Sequence, residues 1–380
     1  MKKQEKYQEK FGKSVRRNNM SLITSLSGIK LKNPLMPASG PLVGDSEKMK
    51  IISDYGVGGI VTKTISSKGA DVVRPCIYGG QNFVMNAELW SEYDPEIWID
   101  KFLPEIKAEI DKPLFISVGY SKDDMENLIP KLDKYADAFE ISTHYVGKDL
   151  TTIKETLMTI RKYTKKPVYM KMSPHIPDPI GFAKMVIENG GNGVVAINSL
   201  GPTMKIDIAS RKVLIGNKEG EVWTSGPVIK PIALALINKI KKAVPQCEII
   251  GVGGISSAED VIEFLLAGAS AVQMLSAAML KGKDLYKNIV DDLPSVLEKY
   301  GFNSIEEVIN TELQTGNLKY DPIYPTINYD KCVNCKLCEN ICPYFAISSE
   351  NEKVVVDKNN CFGCGLCESK CPKKAIGNVF

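Results

Sequence analysis

Residues 332–371 carry eight of the ten cysteines, in two blocks of identical spacing. The first is Cys332, Cys335, Cys338 and Cys342, followed by Pro343. The second is Cys361, Cys364, Cys367 and Cys371, followed by Pro372. Each reads C-x2-C-x2-C-x3-C-P. Two-residue gaps let a tight loop turn successive sulfurs toward adjacent corners of an inorganic cube, and the proline turns the chain away after the fourth. In this pattern three thiolates of one block and the fourth of the other hold each [4Fe–4S] cluster. Cys332, Cys335, Cys338 and Cys371 are therefore expected on one cluster, and Cys361, Cys364, Cys367 and Cys342 on the second. Gly363 and Gly365 read as openings for close backbone approach to the inorganic core. Structural zinc is the alternative, but it usually takes two cysteine pairs across a longer spacer. Disulfides need an oxidising compartment, and no export signal is apparent. The lysine-rich start is broken by Glu5 and Glu9 and leads into no apolar stretch. It reads as a charged tail over 1–20, and the cytoplasm is expected. The isolated Cys76 and Cys247 are expected to be small buried apolar residues.

The remainder alternates short β-branched runs with amphipathic stretches. After a hairpin near 22–31, eight strands are expected, at 35–37, 59–63, 114–118, 138–142, 168–171, 193–197, 248–251 and 271–275. A helical pattern follows each one. Eight β/α units favour an α/β fold, a closed (β/α)8 TIM barrel over 21–310; an open doubly wound sheet is the alternative. No G-x-G-x-x-G follows the first strand, so nothing signals nicotinamide dinucleotide binding. Ser256 and Glu259 read as a capping box, and Ile232, Leu236 and Ile240 as the buried stripe of a helix opened by Pro231. Residues 311–328, with Pro322 and Pro325, read as a linker to the two-cluster unit at 329–380. The net charge of +3 is too small to argue for nucleic acid. No apolar run approaches the roughly 18 residues of a membrane span.

A barrel of this type does its chemistry at the carboxyl ends of its strands. Lys63 and Lys171 bring positive charge there. Gly253-Gly254 and the helix start after them suit a phosphate. Lysines, a phosphate site and clusters together suggest flavin mononucleotide (FMN), which exchanges electrons singly with clusters and in pairs with a substrate.

With these residues in place, the chain resembles the dihydroorotate dehydrogenase superfamily, most of all the barrel-plus-ferredoxin part of dihydropyrimidine dehydrogenases. The strings that carry the resemblance include Asn33 to Gly40, Lys63-Thr64-Ile65, Asn86-Ala87-Glu88-Leu89, Lys171 to Pro174, Ala196 to Ser199, Ser225-Gly226, Gly253-Gly254-Ile255 and both cysteine blocks. The resemblance implies FMN at the barrel rim and hydride transfer to or from one carbon of a C–C bond, with a proton exchanged at its neighbour. Carried over by position, Ala38, Ser39, Lys63, Lys171, Asn198, Gly226, Gly253, Gly254, Ser276 and Ala277 would hold the flavin. Lys171 would face its pyrimidine ring. Asn86, Glu88, Asn198 and Ser199 would line the site of a small cyclic, amide-like, pyrimidine-type substrate. An electron-donor or acceptor protein is implied as partner, either a ferredoxin or a separate NAD(P)H-flavoprotein subunit, and a homo-oligomer is expected.

One stretch departs from the family. After strand four the pattern is asparagine, an apolar residue, serine, then a catalytic cysteine and proline; here it reads Ser142-Thr143-His144-Tyr145-Val146. Tyr145 stands at the cysteine position and His144 one residue before it. His144 is the preferred replacement as proton donor, because an unperturbed pKa near ~6.5 suits proton transfer at neutral pH whereas tyrosine's lies near ~10. His175 is a weaker candidate. If none of these serves, the barrel either acts on a substrate needing no such donor or is a flavin electron relay, and the chain is then a non-catalytic electron-transfer or binding subunit of a larger complex.

Overall fold

A computed structural model describes residues 20–314, 316 and 320–380. The expected charged tail, apart from Met20, lies outside the described residues, as do 315 and 317–319 of the expected linker. The chain divides into two compact units between Leu313 and Gln314.

The first unit is an eight-stranded parallel, nearly closed barrel. Its strands are β1 (Leu35–Pro37), β2 (Ile60–Val61), β3 (Leu114–Val118), β4 (Ala138–Ser142), β5 (Val168–Met172), β6 (Gly193–Ala196), β7 (Glu248–Val252) and β8 (Ala271–Met274). They pair in the order β1-β8-β7-β6-β5-β4-β3-β2. The remaining seam, between β1 and β2, is bridged by Gly58 N donating to Leu35 O at 2.8 Å. Helices follow the strands, among them Ser46–Asp54, Lys122–Leu132, Thr151–Tyr163, Pro179–Glu188, Lys230–Ala243, Ala258–Ala267 and, after the last strand, Leu285–Tyr300.

Strand alternation sorts the side chains into two layers. Phe139, Ile141, Val168, Met170, Met172 and Val272 face the helices. Phe115, Ala138, Tyr169, Val195 and Ala271 fill the barrel interior, and Leu26 and Leu31 of an N-terminal hairpin join them. Each large apolar side chain buried this way contributes about 1.5–3 kcal/mol. By the same alternation Glu140, Lys171 and Gln273 share the inner layer of their strands with Ala138, Tyr169 and Ala271.

Two local expectations shift by one residue. The N-cap of Ala258–Ala267 is Ser257, whose side chain accepts from Asp260 N, and it is Asp260 that reaches back to Ser256 N and Oγ (2.7 and 2.9 Å). In Lys230–Ala243 the buried stripe is Ala233, Ile237 and Ile240, while Ile232 is exposed. Cys247 is buried as expected, but Cys76 is only half-buried.

Two excursions not anticipated from the sequence build a four-stranded antiparallel sheet. Ile77–Gly79 and Val84–Asn86 come from the segment after β2; Leu200–Thr203 and Val222–Ser225 come from the segment after β6.

The second unit repeats one motif. Short helices at Leu337–Ile341 and Leu366–Lys370 each follow the second cysteine of a block. Ile347, Val354 and Ile376 pack with Cys338 and Cys367 in its core. Thr326–Ile327 pairs with Ile376–Gly377. Gly363 and Gly365 have left-handed φ values of 73° and 82°. A Cβ at Gly363 would meet Ile323 O at 2.8 Å, and one at Gly365 would strike the Phe380 ring. Backbone conformation and neighbouring chain therefore account for both glycines.

Candidate functional site

The carboxyl ends of the barrel strands open into a cavity of about 990 Å³. Its lining includes Ala38, Ser39, Lys63, Lys171, Asn198, Gly226, Gly253, Gly254, Ser276 and Ala277, the whole set expected around the flavin. Asn86, Glu88, Ser199 and His144 line the same space. Tyr145 does not. Its ring packs against the core between strands and helices, and its hydroxyl donates to Asp149 O. Of the two residues considered in place of the family's cysteine, only His144 reaches the cavity. His175 Nε2 accepts from Gly201 N at 3.2 Å and so anchors the antiparallel sheet.

The floor is a buried polar chain. Lys171 Nζ donates to Glu140 Oε1 at 3.0 Å, and Gln273 Nε2 donates to Glu140 Oε2 at 2.7 Å. Glu140 and Gln273 have no exposed surface. An ionised pair can persist at such depth because each charge has a partner and further hydrogen bonds. Gln273 Oε1, in contrast, is buried without a partner among the described residues. A buried acceptor of this kind calls for a donor, and it belongs to a residue lining the cavity.

One wall is backbone. Gly226, Gly253 and Gly254 are left-handed, at φ 99°, 115° and 110°. A Cβ on Gly254 would fall 2.9 Å from Lys230 N. Ser225 and Ser276 hydroxyls lie 2.7 Å apart beside them. Elsewhere in the lining, Lys63 Nζ contacts Glu88 at 3.3 Å and both oxygens of Glu92 at 2.9 Å. Burial alone would push the Glu92 carboxyl up, but the Lys63 ammonium outweighs it and holds the group below the usual range. A hydroxyl relay, Ser39–Thr64–Ser117, runs behind at 3.0 and 2.9 Å.

His144 sits at the mouth in a left-handed conformation, φ 51°, a placement disfavoured for side chains with a Cβ and one that clusters at functional sites. Its ring lies 5.2 Å from that of Tyr120, and Asn198 Nδ2 donates to its Nε2 at 3.4 Å. Part of the ring remains in solvent. Even so, crowding in the mouth, and secondarily the Lys171 charge, lower its pKa to about 4. The value near neutrality expected for an unperturbed imidazole does not survive this environment, and at neutral pH the ring is uncharged. Tyr120, which the sequence reading missed, also lines the cavity, and desolvation pushes its hydroxyl up to about 12.

The residues fit FMN by these criteria: a glycine-built backbone wall, lysines and an orphaned acceptor on the floor of one open cavity. In the second unit the cysteines divide between two smaller spaces. Cys332, Cys335, Cys338 and Cys371 line one of about 380 Å³. Cys342, Cys361, Cys364 and Cys367 line the other, of about 340 Å³. These are the two sets that the spacing anticipates. Among the described residues no three His, Cys, Asp or Glu side chains converge on a single-ion site. Each set lines a space of its own, as a cubane held by four thiolates requires.

Glu140 and Gln273 were also missed. Both interrupt apolar strands, and two-residue alternation from the expected rim positions would have turned them inward.

Comparison with known proteins agrees with this architecture. The family model for dihydroorotate dehydrogenase matches residues 21–297, and that for a 4Fe-4S dicluster domain matches 331–375. Three similar proteins are named dihydroorotate dehydrogenase B (NAD(+)), catalytic subunit. The one from Oceanobacillus iheyensis is 35% identical over 303 residues, covering 76% of this chain and 98% of its own. The one from Pyrococcus horikoshii is 33% identical, covering 77% and 98%. The one from Methanocaldococcus jannaschii is 31% identical, covering 76% and 97%. This chain belongs to the dihydroorotate dehydrogenase family, an oxidoreductase family with an FMN-binding barrel, and carries a 4Fe-4S dicluster domain after it.

Proposed function

We propose that this member of the family is an FMN- and iron–sulfur-dependent oxidoreductase acting on a C–C or C=C bond of a small cyclic, amide-like substrate of the pyrimidine type. One observation carries the reading: a single cavity joins a floor and wall suited to a flavin with a rim suited to an amide ring. Bound FMN would supply hydride exchange with the substrate and single-electron exchange with the two clusters. Lys171 and Gln273 would meet the flavin's pyrimidine edge. Lys171 offers charge to the anion that reduction creates, and Gln273 Oε1 offers the acceptor that lacks a donor. Gly226, Gly253, Gly254, Ser276 and Ala277 would take the phosphate through backbone groups. Asn86, Asn198 and Ser199 would orient alternating N–H and C=O groups of the substrate. His144 would exchange the proton at the carbon next to the hydride carbon.

A neutral His144 Nε2 can accept a proton as a dihydro ring is oxidised, and the imidazolium so formed can return it when the ring is reduced.

The test is anaerobic spectroscopy of the purified full chain. Dihydroorotate, dihydrouracil and dihydrothymine are added to oxidised protein, and orotate, uracil and thymine to chemically reduced protein. Bleaching or return of the flavin absorbance by at least one ring supports the reading. A flavin that responds to none of the six, while remaining reducible by dithionite, overturns it.

A further inference from the structure

The two cysteine blocks act as controls for each other, because one backbone is built twice with different side chains. Each short helix starts from a left-handed residue, Lys336 at φ 59° and Gly365 at φ 82°. Each ends on a cysteine with ψ 112° or 113°. Ala346 N donates to Cys342 Sγ at 3.4 Å, and Ala375 N to Cys371 Sγ at 3.3 Å.

Against that constant frame the linings of the two spaces differ in charge. The space lined by Cys332, Cys335, Cys338 and Cys371 is edged by Lys336 and Lys373. The other space has Gly365 and Tyr344 at the corresponding positions, and among the described residues no charged one lines it. There Tyr344 stacks on Phe362 at 4.9 Å, with 14° between the planes. Lys374 takes the place of Phe345, and Lys331 the place of Asn360. All four lysines are exposed. Acidic residues on the helices do not create the difference, since Glu339 and Glu368 occupy equivalent positions. Lys336 also holds a left-handed conformation that glycine adopts freely and a lysine does not.

We infer that this lysine edge is the docking surface for an acidic one-electron carrier protein, which exchanges electrons with the cluster held by Cys332, Cys335, Cys338 and Cys371. The inference rests on the reading that both cysteine sets hold clusters. One electron leaves the reduced carrier, which is oxidised, and enters the cluster, which is reduced; no bond forms or breaks. Between the lysines the lining is cysteine and apolar side chains, so the charges frame a cluster edge and not a polar small-molecule pocket. Like charges around a redox centre attract and orient an oppositely charged face. They act mainly on the association rate and fade with added salt.

The experiment uses the full chain under anaerobic conditions. Iron content and the low-temperature EPR of dithionite-reduced wild type come first, and absence of two clusters sinks the underlying reading before any variant is made. Stopped-flow reduction is then followed with two donors, a pre-reduced acidic two-cluster ferredoxin and the reduced methyl viologen cation. The Lys336→Gly/Lys373→Tyr variant carries residues that the second block already uses at these positions, so the fold is kept. Lys336→Glu/Lys373→Glu reverses the charge. At low salt the ferredoxin rate is expected to fall about tenfold in the first variant and about a hundredfold in the second, with both losses shrinking at high salt. The viologen rate should hold or rise. Ferredoxin rates that stay level across the variants, or rates that fall alike with both donors, overturn the inference.

Discussion

The barrel mouth and the cysteine-rich unit assemble their chemistry in opposite ways. All eight cluster cysteines lie within residues 332–371, and each set lines a space of its own. The barrel mouth gathers residues from Ala38 to Ala277, on strands, rim loops and an antiparallel sheet contributed by two separate excursions. A short-range site of this kind is all-or-none for its own cluster. A long-range site is graded, because each side chain adjusts a shared electrostatic field.

Five substitutions, with one second-site change and one control, test that contrast, the five in descending order of effect. Cys364→Ser should remove one cluster, about four of eight irons, and abolish turnover that depends on an electron-carrier protein while flavin content stays near one per chain. Iron and flavin assays check this, and parallel loss of flavin would show that the two sites are not independent.

Lys171→Met should slow flavin reduction by about 10²–10³-fold. It also strands Glu140 at full burial, which costs about 3–5 kcal/mol of barrel stability. Adding Glu140→Gln should recover much of the stability but not the rate. Denaturant unfolding and single-turnover reduction separate the two effects.

His144→Asn should lower the rate of substrate oxidation by about 10²-fold. In the wild type the sign follows from a depressed pKa. The ring is neutral above about 4, so oxidation should be insensitive to pH near neutrality and fall as acid protonates the ring. A rate that instead titrates near 6.5 would show that His144 is not the group exchanging the proton. Tyr145→Phe should change the rate little, since its hydroxyl is outside the cavity.

Gly254→Ala combines a left-handed φ with a Cβ pressed on Lys230, so a cost of about 1–3 kcal/mol and weaker flavin retention are expected. The smallest effect belongs to Asn334→Gly, which gives the first block the residue of the second at a left-handed position. Thermal unfolding should move by no more than about 1 kcal/mol, toward stability.

How far the sequence could be read follows the same division. C-x2-C-x2-C-x3-C-P is a covalent ruler: spacing alone sorted the cysteines into the two sets that the folded unit brings together. Strand periodicity placed the barrel strands to within a residue or two, because period-two burial leaves a direct trace. The antiparallel sheet left none. Its strands are short, partly exposed and pair across more than a hundred residues, as Trp223 does with Asn86.

From the chain alone one could know that lysines, glycines and asparagines would crowd a barrel rim, and that His144 would stand near the family's missing cysteine. Tertiary structure decided what those groups are. Lys171 is half of a buried ion pair because β4 lies beside β5, and Gln273 closes that pair from β8. The His144 pKa is lowered because other groups crowd the ring in the mouth and Lys171 lies near. Spacing along a chain determines which atoms can share a small inorganic core. A charge or a pKa depends on which distant segments the fold packs against it.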